Sequence, residues 1–469
     1  MGATVRVNGR TVGVVRDQFL RYSFALDPAQ VGLRAGAGAN VLDVTFAQDV
    51  AEDGRFMACT GGWDWAPYSY TTTNSSAKTT GPANTLSKGL WKSVYLTEVP
   101  RDTVAITHVT PHTRYKGAYP TARLVDGEHG GFVVNVTTHF WAPPGGAAGT
   151  LAVAGSWAPA GSGVGAAAAA SSGATTLPAG DSMVSLQLAA TAAQIKLWWP
   201  SGVGAQPLYN VTATWTPAHS AVAGASAAAV VGGGGAGAIG PATPVAATSR
   251  RMGFRVFALV TVNDTNASVV ASHASGQVND TGTHGMFFRV NGAALYSRGA
   301  NMIPMEELEG RMDGEAHRIL VKSSADAGMN TLRVWGGGIF YPTAFYDACD
   351  EYGVLVYHDM QYASTGGGVH GPVATPMQDA ELRHQIRRLS HHPSIVLWDG
   401  ANEVVVGPTA PCPHQGVPNQ TDVCPTWYAP LPPRCAIGKC PPNVCRVVRG
   451  RRCKRASVCG SGGQPRQTE

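Results

Sequence analysis

At 469 residues the chain is long enough for several domains with cores of their own, and 44% apolar residues is the content of a globular protein. The net charge of +5 comes from one end: residues 423–468 hold nine Lys/Arg and no Asp/Glu, while the rest is mildly acidic. That balance argues against a nucleic-acid binder. No run of 18 apolar residues occurs, so no membrane insertion is expected.

Seven of the nine cysteines (Cys412, Cys424, Cys435, Cys440, Cys445, Cys453 and Cys459) crowd into the same end, leaving only Cys59 and Cys349 elsewhere. The main body is therefore expected to fold without disulfides. Asn-x-Ser/Thr sequons at Asn74, Asn135, Asn210, Asn263, Asn266, Asn279 and Asn419 fit a secretory-pathway glycoprotein, lysosomal, vacuolar or extracellular. Met1-Gly2-Ala3 opens neither a signal peptide nor a myristoylation site, so the start is expected to be missing.

Taken in order, residues 4–13 predict a hairpin turning at Asn8-Gly9. Alternation predicts further strands over 19–26, 40–46 and 90–96. Within this β-rich stretch, Trp63-Asp64-Trp65 is a sugar-shaped combination, because pyranose faces stack on indoles while a carboxylate accepts from hydroxyls. A second β region runs from about 100 to 258. Two Gly/Ala/Ser-rich stretches near 143–181 and 217–248 read as flexible inserted loops, since their composition offers little apolar area to bury. Trp198-Trp199 reads as sandwich core.

From Phe287 the texture changes to strand–helix alternation. Strands are predicted over 295–298, with Gly299-Ala300-Asn301 at the exit, then over 331–335, 354–357 and 395–398. Helices are predicted over 314–327, 342–352 and 378–390. Such alternation with short loops means a parallel sheet. The run Ile395–Trp398 is framed by Pro393 and Gly400, and Asn402-Glu403 follow at once, placing an amide and a carboxylate just past a strand's C-terminal end. Catalytic groups of α/β barrels sit on that rim. Arg333 and Asp359 fall at the same level, either as an internal ion pair of the scaffold or as groups that orient a sugar. Gly336-Gly337-Gly338 is backbone shape and no phosphate cradle, for no Lys-Ser/Thr follows. His391 and His392 are adjacent and lack a third ligand at helical spacing, so a structural role or substrate contact is expected and no metal.

Several blocks then combine: Arg298-Gly299-Ala300-Asn301, Asn330 to Gly338, Phe345 to Asp359, and His391-His392-Pro393-Ser394 leading to Asn402-Glu403. Together they resemble the β-mannosidase branch of glycoside hydrolase family 2, over roughly residues 1–405. The resemblance implies a partial jelly-roll sugar-binding domain (1–99, beginning partway through), an immunoglobulin-like β-sandwich (100–258) and the first half of a (β/α)8 TIM barrel (286–407). It implies removal of terminal β-linked mannose with retention. Glu403 would be the acid/base, and Asn402, Arg333, Trp335, Asp359, Asp64, Trp63, Asn301 and Trp398 would bind the carbohydrate. No metal or organic cofactor is called for. Endo-β-mannosidase and exo-β-glucosaminidase share these domains, and Trp398-Asp399-Gly400-Ala401 departs from the usual mannosidase wording, so the sugar stays open. A non-catalytic glycan-binding remnant is the reading from another class.

A retaining glycosidase needs a second carboxyl as nucleophile. In the resembled family it ends strand seven, and no acid after Glu403 fits that place. The chain is therefore expected to be truncated at both ends, inactive and poorly stable alone. Residues 408–469, Cys-rich and basic without either period, read as a disordered tail, genuine or from a mis-joined reading frame. Oligomeric state is left open.

Overall fold

A computed structural model describes residues 2–36, 38–47, 89–90, 92–157, 168–218, 246–266, 268, 286–306, 309–362 and 376–402. All of them belong to one unit, residues 1–409. Of the stretch expected as a loop near 217–248, Pro217 ends one strand and residues 246–248 begin another, while 219–245 lie outside the described residues, as does the tail predicted at 408–469.

The hairpin forms where Asn-Gly places it. Strands β1 (Ala3–Val7) and β2 (Arg10–Val15) are joined by Asn8 and Gly9 at φ 48° and 76°. Two successive left-handed residues are what a tight hairpin turn requires. β3 (Leu42–Phe46) pairs with the other edge of β1, giving the order β2-β1-β3. The segment 19–26 and the described residues of 90–96 are not strands. Phe19 packs edge-on against Phe340 at 5.8 Å, and its carbonyl accepts from the Gln385 amide at 2.5 Å. Alternation here serves an extended segment whose backbone is satisfied by a side chain rather than a ladder.

Two antiparallel sheets follow. Their strands are β4 (Ala105–Tyr115), β5 (Phe132–Ala142), β6 (Ala147–Ser156), β7 (Ala168–Leu177), β8 (Gly180–Ala190), β9 (Tyr209–Pro217) and β10 (Ala246–Met252). They assemble as β4-β5-β8 and β10-β9-β6-β7. β5, β6 and β9 bury alternate residues, as a sheet with one face on a core must. Phe132, Phe140, Trp157, Tyr209, Trp215 and Phe254 fill that core.

The described parts of 143–181, a stretch expected as a flexible loop, are mostly strand. β6 runs between β7 and β9, in register with β7 from Ala147↔Leu177 to Ser156↔Ala168. Its glycines are steric requirements. A Cβ on Gly149 would stand 2.6 Å from the Trp215 ring, and one on Gly155 2.3 Å from Trp157. The bulk this strand lacks comes from indoles packed over it. Trp199 belongs to the same core, with the Arg123 guanidinium 4.0 Å over its ring. Trp198, expected there too, instead packs with Val290, Leu295 and Leu355, and its Nε1 donates to the Asp350 carbonyl at 2.8 Å.

A three-stranded antiparallel sheet comes next: β11 (Phe257–Val260), β12 (Phe287–Val290) and β13 (Ala293–Leu295). Leu295 pairs with Phe288 here. The first parallel strand is therefore not 295–298 but β14 (Gly299–Met302), and Asn301 stands inside it rather than at its exit.

The parallel sheet runs in the order β14, β15 (Thr331–Val334), β16 (Leu355–Asp359), β17 (Ile395–Asp399). Its helices are α1 (Gly314–Asp326), α2 (Thr343–Tyr352) and α3 (Pro376–Leu389). Asp313 caps α1 by accepting from Ala316 N at 2.9 Å. Gly353, at φ 73°, ends α2 in the left-handed cap for which glycine is the cheapest residue. Met302, Val334, Val356, Phe345, Tyr346, Cys349 and Leu389 make up the core between sheet and helices. Among the described residues the sheet has four parallel strands and no closed barrel.

Candidate active site

Register decides what the strand ends present. Asn301, Arg333 and Tyr357 are paired across β14, β15 and β16, and Asp359 is paired with Asp399 across β16 and β17. Side chains alternate along a strand, so Tyr357 and Asp359 share one face and His358 takes the other.

On the first face the Arg333 guanidinium organises everything near it. Its Nε donates to Asp359 Oδ1 at 3.1 Å and its Nη2 to Asp359 Oδ2 at 2.6 Å. The same Nη2 donates to Asn402 Oδ1 at 2.9 Å, and Nη1 donates to Asn301 Oδ1 at 3.2 Å. Gly336 N adds a donor to Asp359 Oδ2 at 3.1 Å. An arginine fork on a carboxylate holds both groups in one plane. Burial pushes the Asp359 carboxyl up to about 6, against the pull of Arg333 and with the help of Asp399. Because a guanidinium can only donate, both amides must turn their oxygens to it. The Nδ2 groups of Asn301 and Asn402 are thereby left without a partner among the described residues.

The glycine-rich loop is built for close approach. A Cβ on Gly336 would lie 2.4 Å from the Tyr362 carbonyl and 3.2 Å from Asn402 N, and one on Gly337 2.2 Å from the Trp335 ring. Asn402 is tied in from the other side, its N donating to the Tyr362 carbonyl at 2.8 Å. So the loops after β15, β16 and β17 meet through backbone.

The structure therefore gathers Arg333, Asp359, Asn301 and Asn402, with half-buried Trp335 on the neighbouring loop. It does not bring Trp398 to them. Trp398 is in register with His358, its ring 5.2 Å from that imidazole and against the helix-side core. Glu403, Asp64 and Trp63 lie outside the described residues.

Two residues of this face were not singled out from the sequence. The Tyr357 hydroxyl donates to Asp399 Oδ2 in a short hydrogen bond, and Arg333 stands 5.5 Å from the Tyr357 ring centre. Burial and Asp399 push the Tyr357 phenol up to about 12, so it remains a donor. The signal for both was period two: Tyr357 precedes Asp359 by two positions, and Asp399 ends the next strand.

Of the adjacent histidines, His392 is tied into the scaffold. His392 Nδ1 is 2.6 Å from Asp350 Oδ2, and Ser394 donates to Asp350 Oδ1 from Oγ at 2.6 Å and from N at 3.1 Å. Asp347, Asp350 and His392 are close enough together to hold an ion. Yet Asp350 is already saturated by these donors, and Asp347 faces Arg251 at 3.2 Å. The group is a latch between α2 and the turn before β17.

No protein-family model matches the chain. It is 39% identical to the β-mannosidase of Rattus norvegicus over 125 residues, 26% of this chain and 14% of that protein. It is 32% identical to β-mannosidase A of Aspergillus terreus over 212 residues, 45% of this chain and 19% of that protein. The match thus spans less than a fifth of either relative's length. The crystal structure of the β-D-mannosidase from Dictyoglomus thermophilum shares the fold, with a TM-score of 0.57 at 21% identity over 85% of this chain and 41% of that one. Over the stretches it matches, the chain is similar to β-mannosidases of glycoside hydrolase family 2, and it shares their fold.

Proposed function

We propose that this chain carries part of a retaining exo-glycosidase site for terminal β-linked mannose of oligosaccharides. The observation that carries the reading is the Arg333 fork. One guanidinium locks Asp359 and turns two asparagine carbonyls inward, so that the amide N–H groups of Asn301 and Asn402 remain to donate to sugar hydroxyls. These groups stand at the C-terminal ends of parallel strands, where barrel enzymes assemble their sites. Asn402 holds the hydroxyl beside the anomeric carbon. Glu403, the next residue, protonates the glycosidic oxygen and then deprotonates water, while a second carboxylate forms the glycosyl intermediate. Asp64, Trp63 and Trp335 shape the subsite, with indole faces for the pyranose ring. The likeness to β-mannosidases supports this assignment. It also supports a jelly-roll domain over 1–99, an immunoglobulin-like sandwich over 100–258, a half-barrel over 286–407, and a secretory-pathway setting in keeping with the sequons. Among the described residues no helix is long and apolar enough to cross a membrane.

The test is titration of the full chain with methyl β-mannoside and, in parallel, methyl β-glucosaminide. Saturable binding of the mannoside, lost in Asn402→Ala and Arg333→Ala, is the expected result. Saturable binding of neither sugar sinks the reading. Turnover of an aryl β-mannoside that disappears in Glu403→Gln establishes the acid/base. Binding without turnover, unaffected by Glu403→Gln, marks a glycan-binding remnant instead.

A further inference from the structure

A second cluster of polar side chains gathers where β4, β5 and α3 meet, and the sugar site does not use it. His108 on β4 and His139 on β5 are cross-strand neighbours with ring centres 6.0 Å apart, and His384 of α3 stands 5.5 Å from His108 on the helix side. Arg21, exposed on the segment between β2 and β3, brings Nη2 to 3.4 Å from His108 Nε2. A guanidinium cannot accept, so Nε2 is the acceptor and the ring hydrogen sits on Nδ1. That Nδ1 is buried, in a residue only 7% exposed, and has no hydrogen-bond partner among the described residues. A buried donor without an acceptor is costly, and native proteins rarely leave one so.

Among the described residues no carboxylate is hydrogen-bonded to His108, His139 or His384. Arg387, one turn along α3 from His384, acts on both His108 and His139, and Arg250 of β10 acts on Arg21. None of Arg21, Arg250 and Arg387 forms an ion pair among the described residues. The acids within reach are few: Asp181 faces His139, and Asp347 lies towards Arg250 but is engaged by Arg251. Arg388 also faces His384, with its own donors committed to Gln385 and the Tyr341 carbonyl. Cations from the β2–β3 segment, β10 and α3 thus gather at a histidine cluster that contains an orphan N–H. We infer that the junction of β4, β5 and α3 is a binding site for a tetrahedral oxyanion, sulfate or phosphate, either free or carried as an ester on a sugar.

Charge-assisted hydrogen bonds from Arg21 and Arg387 hold such an ion, and His108 Nδ1 supplies the buried donor. Binding is proton-linked. Without an anion, burial and the neighbouring arginines hold His108 down to about 3, and burial first of all holds His139 and His384 down to about 4. A bound anion reverses the local charge and favours the imidazolium forms, so affinity rises as pH falls. The inference does not depend on the sugar assignment, and none of its residues belongs to the Arg333 group.

Sulfate is the probe, because its own charge does not change between pH 5 and pH 7. The thermal midpoint of the full chain is followed against sodium sulfate, with sodium chloride at matched ionic strength as reference. A saturable rise of about 4 °C or more is expected at occupancy well above Kd, larger at pH 5 than at pH 7. It should vanish in Arg21→Met and, independently, in Arg387→Met. Sulfate also stabilises proteins by exclusion from their surface, but that effect does not saturate and does not need Arg21. A linear rise, or one retained in both variants, overturns the site. Inorganic phosphate and a hexose 6-phosphate serve as further arms. Tighter binding of the ester points to a glycan source, equal binding to a free anion, and failure of sulfate, phosphate and ester alike refutes the inference.

Discussion

Two groups of charged side chains meet at strand ends or element junctions in this protein, and they are balanced in opposite ways. At the parallel sheet the Arg333 guanidinium meets a fully buried carboxylate, two amide oxygens and a tyrosine ring, and the cation has its carboxylate within the chain. At the junction of β4, β5 and α3, three imidazoles and two arginines meet with no carboxylate bonded to them among the described residues. The first arrangement is complete as a scaffold and offers only spare amide donors. The second is incomplete as a scaffold. The difference separates groups that position one another from groups that wait for something outside the chain.

The contrast breaks most visibly at Arg333. Arg333→Ala leaves the Asp359 carboxyl buried and uncompensated, and equilibrium urea unfolding should register a loss of about 3–5 kcal/mol. The double variant Arg333→Met/Asp359→Leu should recover most of it, since replacing both partners by apolar groups removes the buried charge altogether. If the double variant is as unstable as the single one, the pair does more than neutralise itself.

Acid separates the two groups next. For His108, His139 and His384 the folded-state values lie below the ordinary histidine value of 6.5. Their contribution to stability is therefore complete above about pH 6.5 and is lost as pH falls towards 4 and then 3. Asp359 runs the other way. Its value is raised from 3.8 to about 6, so the fold favours its protonated form, and that contribution fades as pH rises through 6. A stability profile from pH 7 to pH 4 should show a net fall, because the lowered His129, His358 and His391 act in the same sense as the three cluster histidines and Asp359 opposes them. Sulfate should flatten the part due to the cluster. A profile that rises on acidification contradicts the assignment.

Tyr357→Phe removes one hydrogen bond to a partly exposed carboxylate, and the expected cost is about 1 kcal/mol, with a larger proportional effect on sugar affinity than on stability. Arg21→Met should have the smallest effect. In the absence of an anion it removes a like charge from the cluster, so the thermal midpoint in chloride stays level or rises. A marked fall there would mean that Arg21 is structural.

Much of this was legible in the chain itself. Asn8-Gly9 and Gly353 are local signals with local causes, and a hairpin turn and a helix end fall on them. The rim residues Arg333, Asp359 and Asn402 were readable because each ends or follows a run of apolar residues whose period marks a strand. The failures share one cause. The segment 143–181 looked too poor in bulk to order, yet Gly149 and Gly155 are small because Trp215 and Trp157 fill the space beside them. Phe19 alternates like a strand but finds its partners in Phe340 and Gln385. The true first parallel strand starts at Gly299 because Leu295 is taken by a hairpin.

By itself, then, the order of residues determined the sheet-then-sheet-and-helix plan, the caps, and the rim on which a site could form, since these depend on neighbours a few positions apart. Which face each side chain took was decided only in three dimensions. Trp398 went to the helix side by the parity of its register with His358, while Tyr357 and Asp399 came to the Arg333 side by the same rule. The cluster of His108, His139, His384 and Arg21 had no sequence signal at all. Its members come from four separate elements, and only long-range packing, which follows no local period, puts them in contact.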